Sequence, residues 1–312
     1  MYTIGAAAVG PDKDVKIDEA FVVNGSMAEV RPYVDGLIAG LAKRGRKLGS
    51  DFVIEYMERS PQDLHNGLAK AFAHADLLFP MSTSVLQATK KAYPTKPAVF
   101  PSISDPREDD PYDNATGVSA QRTQTTGQCS ERFKATVPSL KTIYGLHKKE
   151  YGPARRALDH VASACGKSSV KYESVTVGSH QDIVDAINKI PARDLGRPAE
   201  TGIQVLPDDL CLGNAATIID LAHQKGIPVF FPVTDWVKPQ LPSALGGFGI
   251  PQKVCGEMAA EFVDQILWGN KRPKDLPVKK GDAFEWVVSS AAAAALKMDV
   301  PAGIKSQGAH VI

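Results

Sequence analysis

Short apolar runs recur along this chain, and each gives way to a polar cluster before a helical pattern begins. Ala20-Phe21-Val22-Val23 leads into Asn24-Gly25-Ser26, Leu77-Leu78-Phe79-Pro80 into Ser82-Thr83-Ser84, and Ala98-Val99-Phe100 into Ser102-Ile103-Ser104-Asp105. The second half has the same grammar: Ile203-Gln204-Val205-Leu206 precedes Asp208-Asp209, and Val229-Phe230-Phe231 precedes Thr234-Asp235-Trp236. Apolar runs of strand length alternating with helical periodicity predict an α/β protein with mostly parallel sheets. In such sheets ligands bind outside the carboxyl ends of the strands. The residues that end the runs are therefore the candidates for a ligand crevice: Asn24, Ser26, Ser82, Thr83, Ser84, Asp105, Asp208, Asp209, Thr234 and Asp235.

Between the runs, Val30, Val34, Leu37, Ile38 and Leu41 keep helical spacing, with Gly45 and Gly49 at the exit. Phe52 to Tyr56 alternates as a strand, and Leu64, Leu68, Ala71 and Phe72 form a helical stripe. The segment from Ser104 to Thr116 is rich in Asp and Pro and reads as a loop, followed by a short strand at Gly117-Val118 and a helix from Thr123 to Val137. Strands are then predicted at 142–146, 170–177, 203–206 and 228–231, and helices at 153–164, 181–190, 215–225 and 253–267. The tail adds a strand over 284–288 and a helix over 291–296.

This division predicts two Rossmann-like lobes with parallel sheets joined by a hinge. The first spans residues 1–120 and takes back a C-terminal segment, 273–312; the second spans 121–272; the ligand crevice is expected between them. Several chain connections at one edge suit closure around a ligand.

A chain that is 43% apolar and 23% charged has the composition of a soluble globular protein, and a formal net charge of +1 gives no reason to expect nucleic acid. Lys43-Arg44-Gly45-Arg46-Lys47 and Lys148-Lys149 read as solvated surface. No apolar run reaches the length of a membrane helix, and Met1-Tyr2-Thr3-Ile4-Gly5 lacks the pattern of a secretory signal, as a processed start also would. Cys129, Cys165, Cys211 and Cys255 stand far apart without metal-ligand spacing and are expected as buried free thiols, with a disulfide in an oxidising compartment as the alternative.

Hydroxyls at a strand end opening a helix, as at Ser82-Thr83-Ser84, suit an anion such as a carboxylate, and they equally suit an ordinary helix cap. Asp105, Asp208 and Asp209 offer carboxylates to a ligand ammonium group or to their own turns. Trp236 and Phe248 are candidates for stacking on an apolar ligand, with core packing as the alternative. Gly246-Gly247-Phe248-Gly249 lacks the spacing of a dinucleotide-binding loop and reads as a strand or turn. His147 has no local partner and reads as a surface or satisfied core histidine. No nucleophile elbow, zinc-protease helix or phosphate loop occurs, so catalysis, a cofactor and a metal are not expected.

Over nearly its full length the chain resembles the ABC-transporter substrate-binding proteins of the TrpX type, which have the type I periplasmic-binding fold. The resemblance is carried by Asp275-Leu276-Pro277-Val278, Phe284-Glu285, and Ala295-Leu296 through Val300-Pro301, and in the first lobe by Gly40-Leu41, Val53-Ile54-Glu55-Tyr56, Leu64, the Ser82-Thr83 turn and Asp105-Pro106. It implies a monomeric periplasmic or extracytoplasmic receptor that binds a small molecule, such as an amino acid or a related aromatic or polar metabolite, and hands it to a membrane permease. It also implies that the Ser82-Thr83-Ser84 turn faces a ligand carboxylate while Asp105 and Asp209 face an amino group. Aromatic-binding relatives tend to carry Asp-Asn where this chain has Asp208-Asp209, and the added carboxylate suggests a more cationic ligand. The rival readings are an effector-sensing lobe pair of a regulatory system and, less favoured, an α/β enzyme.

Overall fold

The computed structural model describes residues 13–18, 27–57, 75–104 and 113–312. The chain divides into two compact units, the first formed by Met1–Ala120 with Gln252–Gly281 and the second by Gln121–Pro251 with Asp282–Ile312.

Among its described residues the first unit contains β1 (Lys13–Asp18), α1 (Met27–Ala42), β2 (Phe52–Met57), β3 (Leu77–Pro80), α2 (Thr83–Ala92), β4 (Ala98–Ile103) and β5 (Ala115–Ser119). The later segment adds α8 (Gln252–Leu267) and β11 (Lys279–Lys280). The strands form one sheet in the order β11-β5-β4-β3-β1-β2, and every pairing in it is parallel. β3 and β4 are buried along their whole length, as expected of strands covered on both faces. α1 turns Tyr33, Val34, Leu37 and Leu41 inward.

Beside these, Gly36 and Gly40 let α8 approach so closely that a Cβ at Gly36 would collide with the carbonyl of Lys253. Ion pairs from Lys43 to Glu257 (2.6 Å) and from Arg46 to Asp264 (2.8 Å) fix the same helix pair. This packing explains a difference from the expected boundaries. The segment that returns to the first unit begins at Gln252 and ends at Gly281, whereas the sequence grammar placed α8 with the second lobe and 282–312 with the first.

The second unit contains α3 (Arg122–Thr136), β6 (Thr142–Lys148), α4 (Gly152–Lys167), β7 (Lys171–Val177), α5 (His180–Lys189) and β8 (Thr201–Val205). It continues with α6 (Asp209–Gly213), α7 (Ala215–Gln224), β9 (Val229–Phe231), β10 (Gly246–Gly249), β12 (Glu285–Val288), α9 (Ser290–Ala295) and β13 (Ala309–Val311). The sheet order is β13-β12-β10-β9-β8-β6-β7. β6 to β10 run parallel, and β12 joins antiparallel to β10 and carries β13 beside it. These last two pairings hold 282–312 in the second unit.

Strand alternation divides the second core in two. Ile203, Val205, Val229, Phe231 and Val287 face α5, α6 and α7, while Phe230, Trp286 and Val288 face α3, α4 and α9. Gln204 is buried on β8 because its amide is satisfied: Ser130 Oγ donates to Oε1 at 2.7 Å, and Nε2 donates to Thr126 O at 3.1 Å. All four cysteines are free and buried, as the sequence suggested. Among the described residues no helix is long and apolar enough to cross a membrane.

The predicted strand at 20–23 and helix at 64–72 lie outside the described residues. β1 was not anticipated, because Lys-Asp-Val-Lys-Ile-Asp offers few apolar positions; its place between β2 and β3 comes from pairing on both edges.

Candidate functional site

In the first unit the carboxyl end of β3 opens directly into α2. Ser82 is the N-cap, in extended conformation, and its Oγ accepts a hydrogen bond from Val85 N at 3.3 Å. Such a cap satisfies one of the amide donors that a helix start leaves unpaired. Thr83, the first helical residue, is 8% exposed, and its Oγ1 is buried without a hydrogen-bond partner among the described residues. An unpaired buried hydroxyl is costly to keep. α2 has no acidic residue in its first turn and has Lys90 and Lys91 in its last. Nothing within the helix therefore offsets the partial positive charge at its N-terminus. Ser84 is the next residue of α2. On the neighbouring strand, Ser102 is 2% exposed and its Oγ is also unpartnered among the described residues. Asn24, Ser26 and Asp105 lie outside the described residues.

The equivalent turn of the second unit is built differently. Asp208 follows β8, is buried, and caps α6: Oδ1 accepts from Cys211 N at 2.7 Å, and Oδ2 accepts from Lys148 N at 2.8 Å. Burial pushes its carboxyl up to about 6, against the pull of those two backbone donors. Asp209 Oδ1 receives Lys148 Nζ at 3.0 Å, and the same ammonium lies 5.7 Å from the centre of the Tyr151 ring. Both aspartates are thus tied to the end of β6, which pairs with β8.

β9 neighbours β8 on its other side and continues into Thr234, Asp235 and Trp236. Thr234 is buried and its carbonyl accepts from Val237 N, which closes the turn. Trp236 packs partly against the core at 6.4 Å from Phe231, with Lys238 Nζ 5.4 Å from its ring.

Two readings change at this point. Phe248 is 5% exposed and packs within the core, stacked on Phe284 at 5.7 Å with the Arg132 guanidinium 4.1 Å from its ring; pairing of β10 with β9 and β12 turns it inward. Lys148, read as solvated surface, is the residue that binds the Asp208-Asp209 turn. Its position at the end of a strand, matching that of Asp208 two strands later, was the available signal. His147 is a buried, satisfied histidine: Nε2 meets Ser174 Oγ at 2.7 Å, and burial lowers its pKa.

With this geometry in hand, comparison with known sequences is decisive for the family. The profile described as ABC transporter substrate binding protein matches residues 19–312. The chain belongs to that family. No curated protein sequence matches it.

Solved structures share the fold of this family member. The ABC domain in complex with L-Trp from Streptococcus pneumonia aligns over 96% of this chain and 100% of its own, with a TM-score of 0.77 at 20% identity. A conserved domain protein from Vibrio cholerae O1 biovar eltor covers 96% and 99%, with a TM-score of 0.79 at 22% identity. The ligand-free, open structure of CD0873, a substrate binding protein with adhesive properties from Clostridium difficile, covers 96% and 99%, with a TM-score of 0.64 at 20% identity. The architecture is that of periplasmic binding proteins.

Proposed function

We propose that this chain is the extracytoplasmic solute receptor of an ABC importer, that it binds a small molecule, an amino acid or a related aromatic or polar metabolite, and that it delivers this solute to a membrane permease without chemical change. The observation that carries the reading is the α2 N-terminus. It combines a helix start with no acidic residue in its own first turn and the buried hydroxyl of Thr83, which has no partner among the described residues, and this suits a carboxylate that completes both. In this reading Ser82, Thr83 and Ser84 hold the acid group, Asp105 and the edge residues Asp209, Thr234 and Asp235 hold the remainder, and Asn24, Ser26 and Trp236 line the site. Asp208 shapes it.

A thermal-shift screen with amino acids, nucleosides, sugars and nicotinamide cofactors tests this, because a ligand that binds only the folded protein raises its melting temperature. Stabilisation by amino acids, with the solute recovered unchanged, is the expected result. Stabilisation by a nicotinamide cofactor, or conversion of the solute, would overturn the reading. With the best ligand, Asp105→Asn should lower affinity by about ten- to a hundredfold, the size expected for a lost charge-assisted hydrogen bond.

A further inference from the structure

Two adjacent carboxylates at the end of a strand should repel one another and draw in cations. Asp208 and Asp209 do not have that freedom. Asp208 spends both oxygens on backbone amides, one starting α6 and one ending β6. Asp209 has a side chain only 8% exposed, and its Oδ1 accepts from Lys148 Nζ, whose side chain is 34% exposed.

The cation is placed there by the fold. β6 and β8 are paired as far as Leu146 and Val205, and Leu206 N then donates to Leu146 O. Lys148 N is held by Asp208 and Lys149 N by Val177 O. With the backbone held on both sides, the Lys148 ammonium lies 3.0 Å from Asp209 Oδ1 and 5.7 Å from the centre of the Tyr151 ring. A pair this sheltered is screened far less than one on open surface.

β8 also pairs with β9, so the Thr234-Asp235 turn is the next strand end along this edge. A solute reaching this edge meets an Asp209 whose charge is already answered by a lysine, and that lysine repels a further positive charge.

We propose that Lys148 determines specificity: by occupying Asp209 it cancels the second carboxylate of the turn, so that the site selects solutes of zero net charge, carrying one ammonium and one carboxylate, over solutes of net positive charge. This rests on the receptor reading above, and it reverses the expectation that the added carboxylate favours a cationic ligand. Discrimination here comes as much from the repulsive lysine as from any attractive contact.

The test is calorimetric titration with L-leucine, L-phenylalanine and L-tryptophan as neutral probes and L-lysine and L-arginine as cationic ones, using wild type, Lys148→Gln, Lys148→Arg, Asp209→Asn and the Lys148→Gln/Asp209→Asn double variant. Wild type should bind at least one neutral probe more tightly than either cationic probe. Lys148→Gln should reduce that preference about tenfold, the effect being larger at low salt. Lys148→Arg should retain the preference, and the double variant should return towards wild type because both charges are gone.

A preference that shifts less than about twofold in a folded Lys148→Gln, or a double variant that stays at the Lys148→Gln value, overturns the proposal. So does a wild type that favours arginine or lysine. A wild type that binds none of these five yet responds to another solute class overturns it while leaving the receptor reading intact; silence across the whole screen overturns the receptor reading itself.

Discussion

The two strand-end turns, Ser82-Thr83 in the first unit and Asp208-Asp209 in the second, share one grammar of strand, polar pair and helix, yet they are electrostatic opposites. The first opens a ten-residue helix with neutral hydroxyls, one of which is left without a partner among the described residues. The second opens a five-residue helix whose start is capped by its own buried carboxylate, which accepts from Cys211 N. One turn leaves a buried hydroxyl without a partner among the described residues; in the other, Asp208 accepts from two backbone amides and Asp209 from a lysine. A polar cluster at a strand end therefore marks a place, and the chemistry there depends on what the neighbouring strand delivers.

The sharpest way to break this comparison is to empty the second turn. Asp208→Ala strands two buried backbone donors, at Lys148 and Cys211, and should cost on the order of 3 kcal/mol in apparent stability, read by urea unfolding. An unchanged midpoint would mean that the cap is dispensable and that the carboxylate is held for a ligand after all.

A related effect is visible in pH. The folded-state value of Asp208 lies near 6, above its ordinary value of 3.8, chiefly because it is buried. The folded protein therefore holds this proton more tightly than the unfolded chain. The stability that it contributes is fully present below about pH 4 and is lost as pH rises through about 6, by roughly 2–3 kcal/mol. Asp208→Asn has no proton to lose, so the difference between wild type and variant, measured by denaturation across this window, should follow that slope. A flat difference would place the carboxyl at its ordinary value.

In the first turn the expected effects are smaller and fall on different observables. Thr83→Val keeps shape and removes a hydroxyl that has no partner among the described residues, so stability should hold or rise slightly while affinity for an amino acid falls about tenfold. Ser82→Ala removes a side-chain cap and should cost about 1 kcal/mol of stability, with a lesser loss of affinity because backbone amides remain. If Thr83→Val instead destabilised the free protein without touching affinity, the contrast between the turns would collapse.

Much of the fold was legible in the chain because strand and helix periods are local properties. The predicted strands from Phe52 to Val288 and the predicted helices from Thr123 onward fall within a few residues of their places, while α6 and β11 had no predicted counterpart. What was not legible is which sheet an element joins. Periodicity gave α8 an apolar face, but only the close fit of Gly36 and Gly40 against it assigns it to the first unit. β12 and β13 read as a returning tail and pair instead beside β10.

The same limit governs the site. Ser82 and Asp208 were visible as strand-end polar residues, and both prove to be N-caps. Lys148 was hidden inside a basic pair that reads as surface, because its proximity to Asp209 depends on β6 lying beside β8. Phe248 was open between stacking on a ligand and packing in the core, and with β10 paired on both sides its ring lies in the core.

The measurement that reaches the centre of this account compares a free amino acid with its carboxamide on wild type and Thr83→Val, by calorimetry, using the amino acid that stabilises the protein most in the screen. If the α2 turn holds a carboxylate, the acid binds wild type at least about tenfold more tightly than the amide, and Thr83→Val narrows that gap. Equal affinity for acid and amide on wild type would contradict the assignment of the anion to this turn.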